Sequence, residues 1–290
     1  MTKIAVLAPP DFGPLAMLPE YSRDVAGADV ILVAPRSGPE LRGVWPQAKG
    51  VRWVHSLSAG VETMLFPELR ASDVVLTNGR GVFAPALAEW AVAAMLYFVK
   101  NFPRLLRGQR ERSWESFTVE RVEGQTVGIV GYGSIGRAVV ERCAALGMRP
   151  VAFSRHQGSL DEVLREADYI VVSTPLTDDT RDMIGSAEFK AMRRNAVLIN
   201  IGRGPVVDEA ALVRALKTHR IKGAALDVFE HEPLPRDHPL WALDNVLISP
   251  HGADYTSDSH VRAMRCFLDN LARFERGEEL LNVVDKNAGY

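Results

Sequence analysis

The apolar positions of this chain fall in short β-branched runs separated by segments of helical period. That alternation predicts βαβ units around a parallel sheet. Early strands are expected over residues 3–7, 30–33, 51–55 and 74–77. Residues 84–106 read as one long apolar helix, and 107–124 as a polar arm rich in Arg and Glu. A second series of runs then covers 126–130, 150–153, 169–173, 196–201, 224–229 and 246–249, with helices between most of them. "SLDEVLREAD" opens on Ser159 with Glu162 three residues on, a capping-box pattern. In "DEAALVRALKTH", Asp208 stands as N-cap before an apolar stripe of Ala211, Leu212, Ala215 and Leu216. A last helix over about 257–276 precedes the tail "LLNVVDKNAGY".

Six buried strands in one block predict an α/β chain whose larger domain, 83–255, is a doubly wound parallel sheet. The outlying segments, 1–82 and 256–290, then make a smaller discontinuous α/β domain. A cleft between the two is the expected ligand site. A chain of 290 residues is long enough for two such domains. Hydrophobic residues at 47% and charged ones at 24% describe an ordinary globular protein. A net charge of −2 argues against nucleic acid or an anionic membrane surface as partner. No signal peptide is visible, and the most apolar stretch, 84–99, is interrupted by Glu89, so the expectation is a cytoplasmic protein. Cys143 and Cys266 lie far apart within helix-like patterns, which favours buried thiols over a disulfide.

The stretch "TVGIVGYGSIGRAVVERCAALG" changes the picture most. Gly131, Gly133 and Gly136, with Tyr132, Ser134 and Ile135 between them, form G-x-G-x-x-G after an apolar strand and before a helix. Gly131 permits the tight turn, Gly133 lets backbone approach a pyrophosphate, and Gly136 lets helix pack on strand; the helix start then meets phosphate charge. A dinucleotide cofactor is expected. At the end of the next strand an NAD site would carry a carboxylate for the ribose 2′-OH, but this chain has Ser154 and Arg155. A hydroxyl and a guanidinium suit a 2′-phosphate, so NADP(H) is expected to be preferred, with NAD(H) still possible. A charge-assisted contact of roughly 1.5–3 kcal/mol corresponds to a preference on the order of 10- to 100-fold.

Three later motifs, "VLINIGRGPVVDE", "AALDVFEHEP" and "VLISPHGAD", follow consecutive strands and bring Arg203, Glu232 and His251 to the end of the sheet where ligands bind. An arginine can hold a carboxylate and polarise the adjacent carbonyl. A histidine can supply the proton that a carbonyl oxygen takes as hydride arrives, and a carboxylate beside it keeps the ring protonated. That division of labour is the chemistry of a 2-oxoacid reductase.

With these residues in hand, the chain resembles the D-isomer-specific 2-hydroxyacid dehydrogenase family over nearly its whole length. The resemblance is carried by "SLSAGVE", "TNGRGVFAPALAEW", "GIVGYGSIG", "STPLTDDTRDMIG", "LINIGRGPVVDEAALVRAL", "GAALDVFEHEPLP" and "NVLISPHGA". It implies a Rossmann cofactor domain beside a smaller flavodoxin-like substrate domain. It also implies a catalytic set of Arg203, Glu232 and His251 with Asp227 in support. Backbone amides at Ala59, Gly60 and Val61 would cradle the substrate carboxylate. Thr174, Pro175, Thr180, Ile201, Gly202 and Gly252 would flank the cofactor. The Ser154–Arg155 pair and the compact chain look most like the glyoxylate/hydroxypyruvate reductase branch. The helix and arm up to residue 124 resemble the family's dimerisation region, implying a homodimer. The connection between "VAFSR" and "SLDEVL" is shorter than is usual in the family.

Other readings stand beside these. Phosphite oxidation is compatible with the same catalytic set, and the non-enzymatic corepressors of this fold are dinucleotide sensors; detectable 2-oxoacid turnover separates the latter. His55 reads as a packed strand residue in preference to a catalytic one. Trp45 suits a pocket wall and an ordinary packed aromatic equally. Glu230, His231 and His238 read as solvated, and Glu230, His231 and Glu232 are too close in sequence to converge on a metal ion.

Overall fold

The computed structural model describes residues 2–290, which divide into two compact units: the chain up to Phe83 with Thr256–Tyr290, and Ala84–Tyr255.

In the first unit β1 (Ile4–Leu7), β2 (Val30–Val33), β3 (Trp53–Ser56) and β4 (Val75–Thr77) pair in that order, all parallel. The helices α1 (Gly38–Val44) and α2 (Pro67–Arg70) lie between strands in the chain. Ser22 bridges Ala5 on the outer side of β1. Counting that bridge as a strand gives the order 2-1-3-4-5 of flavodoxin-like sheets. Every residue of β1, β2 and β3 is buried, as a parallel sheet covered on both faces requires.

The second unit starts with α3 (Ala84–Val99) and α4 (Phe102–Glu111). The single helix expected over 84–106 is therefore two. Asn101 takes a left-handed conformation, φ 51°, and Pro103 stands in the first turn of α4, where its missing N–H costs nothing. Beyond Glu111 the arm has no regular structure over 113–121.

Then follow β5 (Thr126–Val130), α5 (Ser134–Ala145), β6 (Arg149–Phe153), α6 (Leu160–Glu166), β7 (Tyr169–Val172), α7 (Ser186–Ala191), β8 (Val197–Asn200), α8 (Glu209–Lys217), β9 (Gly223–Leu226) and β10 (Val246–Ile248). The strands form one parallel sheet in the order β6-β5-β7-β8-β9-β10. The direction of winding reverses between β5 and β7, and ligands of such sheets bind outside the strand ends at that point. Strands β8 and β9 stop short of the apolar runs that announced them; Ile201, Val228 and Phe229 remain buried, but in the loops beyond.

The Asp208 cap forms, and of the capping box expected at α6 the Ser159 half does. Asp208 Oδ1 accepts from Ala211 N–H at 2.8 Å at the start of α8, and Ser159 Oγ accepts from Glu162 N–H at α6. The core of this unit includes Ile170, Val172, Phe189, Leu198, Leu212 and Leu216. The chain returns to the first unit with α9 (Ser259–Arg276), closed by Gly277 at φ 69°. There Phe267 stacks on Trp53 with ring centres 5.2 Å apart, both fully buried.

Candidate active site

At the end of β5 the three glycines meet three different steric demands. Gly131 has φ +104°, and a Cβ there would sit 2.8 Å from Thr174 N. A Cβ on Gly136 would stand 2.3 Å from Gly131 O, so only glycine lets α5 pack this close to the strand. Gly133 has nothing within 4 Å of its would-be Cβ. The turn is held by Gly131 N–H donating to Phe153 O at 2.9 Å and by Ser173 Oγ–H donating to Gly131 O at 2.8 Å.

The N-cap of α5 is Gly133, so no side chain occupies the amides of Ser134, Ile135 and Gly136. Open space before an uncapped helix start fits a pyrophosphate. Beside it Thr174 Oγ1 is buried without a hydrogen-bond partner, and a Cβ on Gly202 would lie 2.8 Å from Thr174 O. The ends of β5, β7 and β8 thus close on one another at Gly131, Thr174 and Gly202. Tyr132 is half-buried next to this turn, and Ile201 is buried. Thr180 shapes the loop after β7: its hydroxyl donates to Pro175 O at 2.7 Å and accepts from Thr177 N–H at 2.8 Å.

The shortened connection after β6 is a tight turn in which Ser154 and Gln157 exchange backbone hydrogen bonds of 2.8 and 3.1 Å. Arg155 Nη2 lies 2.9 Å from Asp179 Oδ2 in an exposed ion pair. Such a pair contributes at most about 1 kcal/mol, so a stronger anion can displace it.

The catalytic candidates lie on three loops that follow β8, β9 and β10. Asn200 builds the first loop: its Oδ1 accepts from Gly202 N–H and its Nδ2 donates to Arg203 O, both at 3.1 Å. Arg203 is half-buried, with Nη1 donating to Gly202 O at 2.8 Å. A Cβ on Gly204 would stand 1.9 Å from the Phe229 carbonyl, so this loop rests directly on the one that carries Glu232.

Glu232 uses both oxygens. Oε1 accepts from Phe229 N–H at 3.0 Å, and Oε2 lies 2.7 Å from His251 Nδ1. The Glu232–Pro233 bond is cis. Asp227, 1% exposed, clamps the third loop: Oδ1 accepts from Ser249 Oγ–H at 2.5 Å, Gly252 N–H at 2.9 Å and Ala253 N–H at 3.1 Å. Its carbonyl accepts from His251 N–H at 2.8 Å, which fixes His251 in a left-handed conformation, φ 50°.

The hydrogen bond to Glu232 raises the His251 pKa above its usual value, and the charges of Glu232 and Asp227 add to it against the effect of burial. For Glu232, burial pushes the carboxyl up, but the bonds from His251 and Phe229 N–H outweigh this and leave it lowered. With the ring protonated the two groups form an ion pair with Nδ1–H directed at the carboxylate, and Nε2 is then the ring nitrogen that Glu232 does not engage.

Ala59, Gly60 and Val61 follow β3 in the first unit. Their loop is anchored through its carbonyls, Ser58 O by Gly79 N–H at 2.9 Å and Ala59 O by Asn78 Nδ2 at 2.6 Å. His55, in β3 itself, is a core group: Nδ1 lies 2.6 Å from Thr77 Oγ1, and burial pushes its pKa down to about 3. Trp45 packs edge-on against Phe66. Glu230 and His231 are exposed. His238 is not solvated as expected; its Nε2 lies 3.2 Å from Glu209 Oε1, and Nδ1 accepts from Leu240 N–H.

The supports Asn78, Ser173, Asn200 and Ser249 lie within the quoted motifs, but the sequence alone assigns them no role. Each is a small polar residue at a strand end, and its role depends on which loop lies opposite.

The family model "D-isomer specific 2-hydroxyacid dehydrogenase, NAD binding domain" matches residues 92–253. A glyoxylate reductase of Aeropyrum pernix is 36% identical over 261 residues, 83% of this chain and 78% of that protein. A glyoxylate/hydroxypyruvate reductase B of Salmonella paratyphi A is 34% identical over 266 residues, 85% of this chain and 82% of that one. Among solved structures, an NADPH-dependent glyoxylate/hydroxypyruvate reductase from Sinorhizobium meliloti in complex with NADP and sulfate superposes with a TM-score of 0.88 at 30% identity, covering 100% of this chain and 99% of that one. Sequence motifs, paired sheets and these relatives agree: the chain belongs to the D-isomer specific 2-hydroxyacid dehydrogenase family of NAD(P)-dependent oxidoreductases.

Proposed function

We propose that this chain reduces small 2-oxoacids of the glyoxylate and hydroxypyruvate kind to 2-hydroxyacids, with NADP(H) preferred. The observation that carries the reading is the 2.7 Å contact between His251 Nδ1 and Glu232 Oε2 on loops following neighbouring strands of the sheet that ends in the glycine turn. The bound nicotinamide cofactor supplies the hydride. Protonated His251 gives the proton on Nε2 to the carbonyl oxygen. Glu232 holds the ring in that charge state and orientation, and Asp227 fixes the loop beneath it. Arg203 binds the substrate carboxylate and polarises the carbonyl. The first unit, where Ala59, Gly60 and Val61 offer backbone amides to a carboxylate, is assigned as the substrate-binding domain, and the second as the cofactor domain.

NADP(H) preference is supported by Ser154 and Arg155 where an NAD site has a carboxylate, and by the relative solved with NADP. A homodimer is supported by apolar residues left exposed on α4 and the arm: Phe102, Leu105, Leu106, Trp114 and Val119.

A panel of 2-oxoacids assayed with NADPH and with NADH tests this reading. Glyoxylate and hydroxypyruvate are expected to turn over, with higher kcat/KM for NADPH. His251→Ala should lower kcat by about 10²- to 10⁴-fold. Near wild-type turnover in that variant contradicts the mechanism, and kcat/KM for NADH equal to that for NADPH contradicts the cofactor preference.

A further inference from the structure

The segment that carries Glu232 runs between β9 and β10, and every residue of 230–237 except Leu234 is exposed. Packing therefore does little to hold it, and exposed segments open easily unless hydrogen bonds fix them. Both of its ends meet one side chain. Glu209 Oε2 accepts from Glu230 N–H at 3.2 Å, and Glu209 Oε1 lies 3.2 Å from His238 Nε2. Leu240 N–H donates to His238 Nδ1, so the ring carries its proton on Nε2 and donates it to the carboxylate.

Glu209 stands on a fixed base. It is the first residue of α8, whose start is capped by Asp208 accepting from Ala211 N–H at 2.8 Å. Leu212 and Leu216 of the same helix are buried in the core. The side chains of His238 and Glu209 are 19% and 13% exposed, so water competes less for their contact than at a surface pair. From Glu230 the chain takes two steps to Glu232, whose oxygens hold Phe229 N–H and His251 Nδ1.

We propose that Glu209 is a positioning residue: by clasping both ends of segment 230–238 it holds the Glu232 carboxylate against His251. The inference rests on the 2-oxoacid reductase reading, in which Glu232 and His251 act as a pair. The bonds of Glu209 are to the loop, and its effect on His251 passes through Glu232. A carboxylate suits the task because two donors on separate parts of the chain need two acceptor oxygens, and an amide offers one. A displacement of Glu232 by about 1 Å is enough to lose its 2.7 Å bond to His251, and misplacement of that size can cost on the order of 10²-fold in rate.

Glu209→Ala, Glu209→Gln and His238→Ala test the clasp, each compared with the wild type for melting temperature, kcat, KM and the pH dependence of kcat/KM. In Glu209→Ala kcat should fall by about 10- to 100-fold, while KM for NADPH, which the glycine turn serves, is retained. The alkaline decline of kcat/KM should move towards lower pH, because a displaced Glu232 no longer favours the charged ring. Glu209→Gln keeps one acceptor oxygen and should be intermediate. His238→Ala takes away no negative charge, so the same shift there separates position from charge. The other charges that act on His251, those of Asp227, Asp254 and Arg203, belong to residues outside segment 230–238. If Glu209→Ala does not fold, His238→Ala carries the comparison. Folded variants whose pH profile superimposes on the wild type overturn the proposal, whatever their melting temperature. A shift in Glu209→Ala without one in His238→Ala assigns the effect to charge and overturns it too. Titration of the His251 ring by NMR, its signal identified by its loss in His251→Ala, reads the same contact without turnover. A wild type that reduces no 2-oxoacid refutes the underlying function, and the ring titration still decides the clasp: a lower pKa in the variants supports it, and an unmoved one overturns it.

Discussion

Glu232 favours the charged form of the His251 ring, and the sign of the pH effect follows from which form does the work. In the proposed mechanism reduction consumes the protonated ring, so kcat/KM for an oxoacid should hold below the His251 pKa and decline as pH rises through it. The hydrogen bond from Glu232 raises that pKa above the ordinary 6.5, which places the decline on the alkaline side of that value. Glu232→Gln removes the charge and should move the decline towards lower pH; a profile superimposable on the wild type would show that Glu232 does not tune the ring. Arg203, Glu232 and His251 could be read from the chain because each ends an apolar run and has a chemical task matched to its type. Asn200 could not. An asparagine at a strand end looks like any turn residue, and only its bonds with Gly202 N–H and Arg203 O distinguish it.

At the scale of the element, glycines decide how closely loops and helices approach, and the site contains two opposite cases. Gly204 has no room: a Cβ would stand 1.9 Å from the Phe229 carbonyl, backbone against backbone. Gly204→Ala should therefore separate the Arg203 and Glu232 loops, lower stability by about 1–3 kcal/mol as overpacking does, and depress kcat. Gly133 has space, since nothing lies within 4 Å. Gly133→Ala should melt like the wild type and yet bind NADP(H) more weakly in a fluorescence titration, because the methyl occupies the approach to the α5 amides. Equal melting temperatures for both variants would contradict this division.

The glycine turn was legible because strand, spacing and helix face coincide. The break between α3 and α4 was not. Apolar positions continue through Phe102, Leu105 and Leu106, and the left-handed turn at Asn101 interrupts the backbone without interrupting the pattern.

Taken as a whole molecule, the α/β class follows from strands covered on both faces, which must be written as unbroken apolar runs. The order of strands within each sheet leaves no such mark, since it depends on which neighbours pair. Those same apolar positions on α4 raise a question that neither the strands nor the site answers. Leu105 and Leu106 are 47% and 42% exposed, and Trp114 on the arm is 99% exposed. Large apolar side chains exposed on one helix and its following segment suit the homodimer proposed above. In a homodimer the covering surface belongs to a second copy of the chain, and a two-fold interface would use the same patch on both. Light scattering should then give twice 31.9 kDa. Leu105→Glu combined with Leu106→Glu would place charge in that patch without touching the Gly131 turn or the His251 loop, and should shift the protein to monomer. A wild type that is monomeric at all concentrations assayed, or a double variant that remains dimeric, contradicts the assignment of this face.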